Sequence, residues 1–533
     1  MFKSLQIGNF KAFGNLQRIP LKPITLIFGP NSSGKSSIIH SLAFIHHAMS
    51  TGDFDVHHTI KGGNSIDLGG IKQAVHKRDF NNRIEWGLEI DNEYLNKAEL
   101  TLDDEDQPNL WSRPIHLFDG KTRLELLMSI GVELDDQDRP IKGSKPKIYN
   151  YEIRSGGSKF LSISQRPDNS YKLDYVNKQS ELTNKVIDHL RETSKSETIN
   201  YDLNIDQIVT EITIKKAVIP FSINTNAKAI SGLGKEQHRF VKLLSKLIES
   251  IYEYIETELN DIEYLGPLRS YPPRIIEMAE DNDPNFKAGG GFAWKKVLED
   301  GRVREKINTW LSSGENLQTP YSLKIKNLHT IDGLDKYYTE NIHKVIENTF
   351  LKEHEVQPDI WSDAEMALSN IKDFEDEISE RKELVLTDLR TKTEVTHRDI
   401  GIGISQVLPV LVSALGNKNK TIVIEQPEIH LHPAIQAELG DVFIEGALKQ
   451  MNSFILETHS EHLILRLLRR IREANDSEVN TKNGIKPSDL MILYVDPQEE
   501  GAQVYEIPVN EEGEFDRPWP EGFFSERSKE LFG

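Results

Sequence analysis

The segment Gly29-Pro30-Asn31-Ser32-Ser33-Gly34-Lys35-Ser36 constrains this chain more than any other, because it matches G-x-x-x-x-G-K-[ST] at every fixed position. The pattern has mechanical meaning only where a buried strand delivers the chain into the loop and a helix leaves it. Both are legible. Ile24 to Phe28 is a short apolar run ending at glycine, and from Lys35 onward Ile38, Ile39, Leu42, Ala43 and Ile45 recur at helical spacing. In such a loop the glycines let backbone N–H groups turn inward as a nest for phosphate oxygens, and the helix offers its positive end. Gly29, Pro30, Asn31, Ser32, Ser33, Gly34, Lys35, Ser36 and Ser37 are therefore the expected nucleotide-binding set. Lys35 reaches the β- and γ-phosphates and the Ser36 hydroxyl ligates Mg2+, so ATP and Mg2+ are the expected cofactors.

Two further elements follow in the order such a site needs. Thr421-Ile-Val-Ile-Glu425-Gln426-Pro427-Glu428 is an apolar strand ending in acidic residues, and Glu425 is the candidate to face the metal, through Mg2+ or its bound water. Glu457-Thr458-His459-Ser460 ends the next strand, where the His459 imidazole could hydrogen-bond the γ-phosphate and sense its loss.

Around these motifs the chain reads as an α/β protein, a P-loop head split in sequence by a large, mostly α-helical insertion. Its expected parts are an N-terminal lobe over 1–80, an insertion over 81–375, a C-terminal lobe over 376–495 and a tail over 496–533. Phe2, Leu5 and Ile7, then Phe10 and Phe13, read as a strand and its return. Within the insertion, Phe240, Leu243, Leu244, Leu247, Ile248, Ile251 and Ile255 predict a long amphipathic helix over Lys235 to Leu259. Packing on its own domain is the preferred reading, with an arm or dimer contact as the alternative. After it, LVLTDL and TEVTH predict a hairpin leading to a glycine-rich turn at Gly401-Ile402-Gly403. The strand Thr421 to Ile424, a helix from about Pro433, the strand Ser453 to Leu456 and a helix from Glu461 complete the alternation.

Composition narrows the function classes. With no cysteine among 533 residues, disulfides, thiolate metal sites and cysteine nucleophiles are excluded, so any metal is held by oxygen ligands. No stretch is long and apolar enough to span a bilayer, and MFKSLQIGNFKAF lacks the layout of a secretion signal, so no membrane contact and a cytoplasmic location are expected. A formal charge of −20 argues against nucleic-acid binding through bulk electrostatics and favours a protein partner.

Taken together, these motifs resemble the ABC-type ATPase heads of the RecF, SMC and OLD group over roughly residues 1–80 and 380–495. The resemblance implies that Gly401-Ile402-Gly403-Ile404-Ser405-Gln406 stands at the signature motif, with Gly403, Ser405 and Gln406 contacting the γ-phosphate of an opposite protomer. It therefore implies a homodimer or higher homo-oligomer. Ile429-His430-Leu431-His432-Pro433 matches the D-loop region, Lys11 matches a basic position near the nucleotide, and Gln73 stands as a Q-loop glutamine on the metal. One departure matters. Gln426 occupies the usual place of the catalytic glutamate, so either Glu428 takes that task or hydrolysis is slow and ATP mainly holds the dimer closed.

Within the group, Tyr264-Leu-Gly-Pro-Leu-Arg269 with Arg274, Glu-Gln-Pro-Glu-Ile-His-Leu-His-Pro, and the tail Trp519-Pro-Glu-Gly-Phe-Phe524 are similar to prokaryotic anti-phage defence ATPases, such as the Septu ATPase (PtuA) and its retron-associated relatives. That likeness implies a separate nuclease subunit of the HNH type, or a retron reverse transcriptase with its nucleic acid, as partner. About 38 residues after Asp496 are too few for the Toprim domain of OLD nucleases, and Asp496, Glu499 and Glu500 read as a solvated loop between two strands. A regulatory ATPase of a defence complex ranks first. A RecF-like repair ATPase would need a basic surface, and a transporter subunit would be more compact.

Overall fold

The computed structural model describes residues 2–90, 123–168, 170–193, 205–211, 213–214, 222–223, 232–269, 285–314, 316–328, 381–395, 402–476 and 484–517. Arg274, Gly401 and the Trp519–Phe524 tail lie outside the described residues.

The strands in chain order are β1 (Phe2–Gly8), β2 (Gln17–Pro20), β3 (Ile24–Phe28), β4 (His58–Thr59), β5 (Gly63–Asp67), β6 (Ile84–Ile90), β7 (Leu124–Gly131), β8 (Lys147–Ser155), β9 (Ser158–Gln165), β10 (Tyr171–Val176) and β11 (Thr213–Ile214). They continue with β12 (Ile262–Leu265), β13 (Tyr321–Leu328), β14 (Arg381–Asp388), β15 (Thr393–Val395), β16 (Thr421–Glu425), β17 (Ser453–Glu457), β18 (Leu490–Asp496) and β19 (Gln503–Glu506). Two sheets dominate. The core sheet has the order β12-β16-β17-β3-β18-β19, parallel from β12 to β18 and closed by antiparallel β19. ITLIF, TIVIE and SFILE are buried at every position, as strands covered on both faces must be, which is why each reads as an unbroken apolar run.

The second sheet is antiparallel, in the order β11-β10-β9-β8-β7-β6-β1-β2. Its strands carry the alternating burial of a sheet with one face on the core, plainest in β7. The border expected at residue 80/81 therefore has no structural counterpart: β6 pairs with β1, Leu5 opposite Leu88. Helix outweighs strand across the described part of 81–375, yet its first half is sheet, and β12 returns to the head to pair with β16, Tyr264 opposite Val423. Local periodicity could not show either pairing, because the partners are some 80 and 160 residues apart.

The helix Lys235–Asn260 packs against the P-loop helix, Lys35–Thr51, and against the helix Glu181–Thr193. Phe240, Leu243, Leu244, Leu247, Ile248, Ile251 and Ile255 are all buried within this chain, which is the intramolecular packing preferred from the sequence. Phe10 and Phe13 are bridged to one another in a tight turn, and the strand's return is β2. The hairpin β14–β15 forms as expected and gains β13 on its other edge. Where a glycine-rich turn was expected, Ile402–Gly416 is helical and includes Gly403, because its apolar run VLPVLVSALG is buried between the core sheet and the helices Gly291–Glu299 and Gly301–Ser312. Among the described residues, no helix is long and apolar enough to cross a membrane.

Candidate functional site

The site lies at the carboxyl ends of β3, β17 and β16. Gly29 has φ +148°, and a Cβ there would stand 2.3 Å from the Val495 carbonyl oxygen; Gly34 has φ +104°, and its Cβ would stand 2.4 Å from the Ala12 side chain. No larger residue fits at either end of the loop, so the backbone is free to line a cradle. Lys35 is folded into that cradle, its ammonium donating to the carbonyls of Gly29 (3.2 Å) and Pro30 (2.8 Å), and burial pulls its pKa below the ordinary lysine value. The P-loop helix is capped by Gly34 with no side-chain cap bond, and the buried Ser33 hydroxyl has no hydrogen-bond partner among the described residues. Unclaimed donors at a helix start beside a buried ammonium fit a polyphosphate.

Two carboxylates stand side by side beyond the loop. Glu425 closes β16 and Glu457 closes β17, directly opposite one another in the parallel register. The Ser36 hydroxyl donates to Glu457 Oε2 at 2.8 Å, and Glu425 accepts from the Tyr264 hydroxyl at 2.9 Å. Burial, then repulsion from Glu457, pushes the Glu425 pKa up to about 8, and burial raises Glu457 as well. Mg2+ characteristically takes one or two carboxylates together with phosphate oxygens and waters, and this oxygen-only set suits it.

Lys11 and Glu425, remote in sequence, are linked through His40. Lys11 Nζ lies 2.9 Å from His40 Nδ1, and His40 Nε2 lies 3.7 Å from Glu425 Oε1. Burial and the Lys11 charge drive the His40 pKa down to about 3, so the imidazole is neutral and this contact is no ion pair. The expected basic position is thus brought, through His40, to Glu425. Gln73 is placed differently. It sits on the short helix Ile71–Ala74, which the Lys11 N–H anchors through the Ala74 carbonyl, but its side chain is exposed and bonded to neither Ser36 nor Glu425.

Glu428 is committed elsewhere: it accepts from the Thr458 hydroxyl at 2.8 Å and from the His459 backbone N–H at 2.6 Å, so both oxygens hold the end of β17. His459 is half-buried beside Lys35, and burial followed by the lysine charge lowers its pKa. Gln426 holds φ +47°, a left-handed backbone uncommon for glutamine, fixed by its N–H to the Glu457 carbonyl at 2.7 Å. Arg269, without a fixed role from the sequence, is 5% exposed and donates to the carbonyls of Glu425 (2.9 Å), Gln426 (3.0 Å) and Gln406 (3.4 Å). Gln406 returns a bond from its side chain to the Arg269 carbonyl at 3.0 Å. Of the three expected signature residues, Ser405 and Gln406 are buried within their own chain and Gly403 is half-buried.

A pH dependence follows from Glu425. Its folded-state pKa lies above the ordinary 4.5, so between the two values the folded state binds more protons than the unfolded one and stability falls as pH rises. The ligand-free protein should lose stability from about pH 5 to about pH 8, by up to about 1.4 kcal/mol per pH unit from this group, read as a falling melting temperature. Scanning fluorimetry of Glu425→Gln should show a shallower decline. An unchanged slope would place the shift elsewhere.

Fold and site together define a P-loop ATPase head. The chain belongs to the AAA ATPase domain family, which it matches over residues 1–464, and it is an ATP-binding ATPase. Residues 485–532 match a second family, described as a protein of unknown function (DUF3696). Comparison with curated proteins returns no match. Among solved structures, the chain is similar to the SMC head domain from Thermotoga maritima at 10% identity and TM-score 0.32, covering 95% of this chain and 99% of that one. It is also similar to an Smc head domain with an extended coiled coil bound to the C-terminal domain of ScpA, derived from Pyrococcus furiosus, at 12% identity and TM-score 0.34, covering 95% and 96%.

Proposed function

We propose that this chain binds ATP with Mg2+, hydrolyses it slowly, dimerises around it, and serves as the regulatory scaffold of an anti-phage defence complex whose nuclease is a separate subunit. The observation that carries the slow step is that, among the described residues, neither of the two positions expected to supply the base, 426 and 428, offers an unengaged carboxylate. Gln426 is a carboxamide, and Glu428 spends both oxygens on Thr458 and His459. A carboxamide orients water but does not take its proton.

In this reading, the backbone of Gly29 to Ser36 and the Lys35 ammonium bind the phosphates, and Ser36 with Glu425 holds the cation. Mg2+ supplies charge neutralisation between the β- and γ-phosphates. Lys11, through neutral His40, and Tyr264 orient Glu425. His459 lies beside Lys35 to read the γ-phosphate. Gly403, half-buried near the start of its helix, is the part of the signature segment left for a second protomer. The motif resemblance and the acidic net charge support a protein partner.

Purification from the native operon, with tagged wild type and Lys35→Ala in parallel, tests the assignment. A stoichiometric HNH-type nuclease, or a reverse transcriptase with its nucleic acid, is the expected companion. A chain that purifies alone and binds DNA only with ATP would replace this reading with a RecF-like repair ATPase.

A further inference from the structure

Glu457 was in plain view in the sequence but received no role. It ends β17, the strand lying between β3, which feeds the P-loop, and β16, which carries Glu425. Its Cα partners are Ile27 on one side and Glu425 on the other. Neighbouring parallel strands in register point paired side chains to the same face, so the two carboxylates share one side of the sheet end. Glu457 is 5% exposed, and its Oε2 accepts from the hydroxyl of Ser36, the P-loop residue whose oxygen is expected on the cation.

A threonine or serine would satisfy Ser36 equally well. Two buried carboxylates set side by side repel one another and lose hydration, a cost that a divalent cation offsets. We propose that Glu457 is a second carboxylate of the Mg2+ shell, holding the cation with Ser36 and Glu425 between the P-loop and the ends of β16 and β17. The inference rests on the ATP·Mg2+ reading above and adds to it a residue that the P-loop and acidic-strand motifs do not supply.

The test is calorimetric titration with ATPγS, first in EDTA and then in Mg2+, on wild type, Glu457→Gln and Glu457→Asp. Wild type should gain affinity when Mg2+ is added. Glu457→Gln should match wild type in EDTA within about threefold and lose roughly 10- to 100-fold of the Mg2+ gain. Glu457→Asp should recover part of that gain. The ligand-free Glu457→Gln protein should melt at or above the wild-type temperature while showing a smaller upward shift with Mg2+ and ATPγS. A full Mg2+ gain in Glu457→Gln, or an equal loss of affinity with and without metal, would overturn the proposal and leave Glu457 a partner for Ser36 only. If the glutamine variant does not fold, the aspartate variant decides: an undiminished Mg2+ gain there overturns the proposal, and a reduced gain at wild-type EDTA affinity supports it. Wild type that binds no ATPγS in either buffer would instead remove the nucleotide reading itself.

Discussion

Lys35→Ala should weaken ATP binding by roughly a hundredfold and reduce hydrolysis to background. The ammonium already sits inside the loop, donating to the Gly29 and Pro30 carbonyls, and burial has made it partly desolvated. A charge-assisted hydrogen bond to phosphate in such a place contributes about 1.5–3 kcal/mol, and Lys35 is expected to make contacts to both β- and γ-phosphates. Loss of about 3 kcal/mol corresponds to roughly a hundredfold in affinity. ADP lacks the γ-phosphate, so its affinity should fall less than that of ATP. Fluorescent-nucleotide titration of both variants checks this. Equal losses for ATP and ADP would place Lys35 on the β-phosphate alone, and no loss would remove it from the site.

The second large effect concerns folding. Arg269→Ala should destabilise the head by about 3–5 kcal/mol, lowering the melting temperature of the chain by roughly 3–5 °C. The guanidinium is buried and spans three carbonyls, those of Gln406, Glu425 and Gln426, on two separate segments. Removing it takes the guanidinium donor from two buried carbonyls, those of Gln406 and Glu425, and from the part-buried Gln426 carbonyl, at about 1–3 kcal/mol for each buried acceptor left unsatisfied. Arg269→Lys should recover only part of the loss, since one ammonium lacks the planar fork that spans the three oxygens. Because two of the carbonyls belong to Glu425 and Gln426, ATP turnover in the alanine variant should fall below wild type even at temperatures where it remains folded. A melting temperature within about 2 °C of wild type would mean that Arg269 is not the bolt its hydrogen bonds describe.

How much of this was legible before the fold was known depends on the range of the signal. The P-loop, β3, β16, β17 and the helices from Pro433 and Glu461 announce themselves locally, through unbroken apolar runs, helical spacing and turn residues. Even the loop at Glu499 and Glu500 between β18 and β19 was readable that way. Long-range pairing was not. β12 is four residues long, too short to declare itself, and only its register with β16 makes Tyr264 a partner of Glu425. Glu428 illustrates the same limit in the site: its residue type suits a general base, and only the fold shows its two oxygens accepting from Thr458 and the His459 N–H. The helical stretch at Gly403 was hidden by glycines that suggest a turn, and the burial of the apolar residues after them decided otherwise.

The most direct test of the account is sedimentation of the purified chain without nucleotide, with Mg2+ and ADP, and with Mg2+ and ATP, for wild type and Lys35→Ala. The account predicts that wild type shifts from a smaller species to one of twice the mass with ATP, persists in that form because turnover is slow, and fails to do so with ADP or in Lys35→Ala. A mass that saturating ATP leaves unchanged, or an ATP-driven dimer that forms equally well in Lys35→Ala, would contradict it.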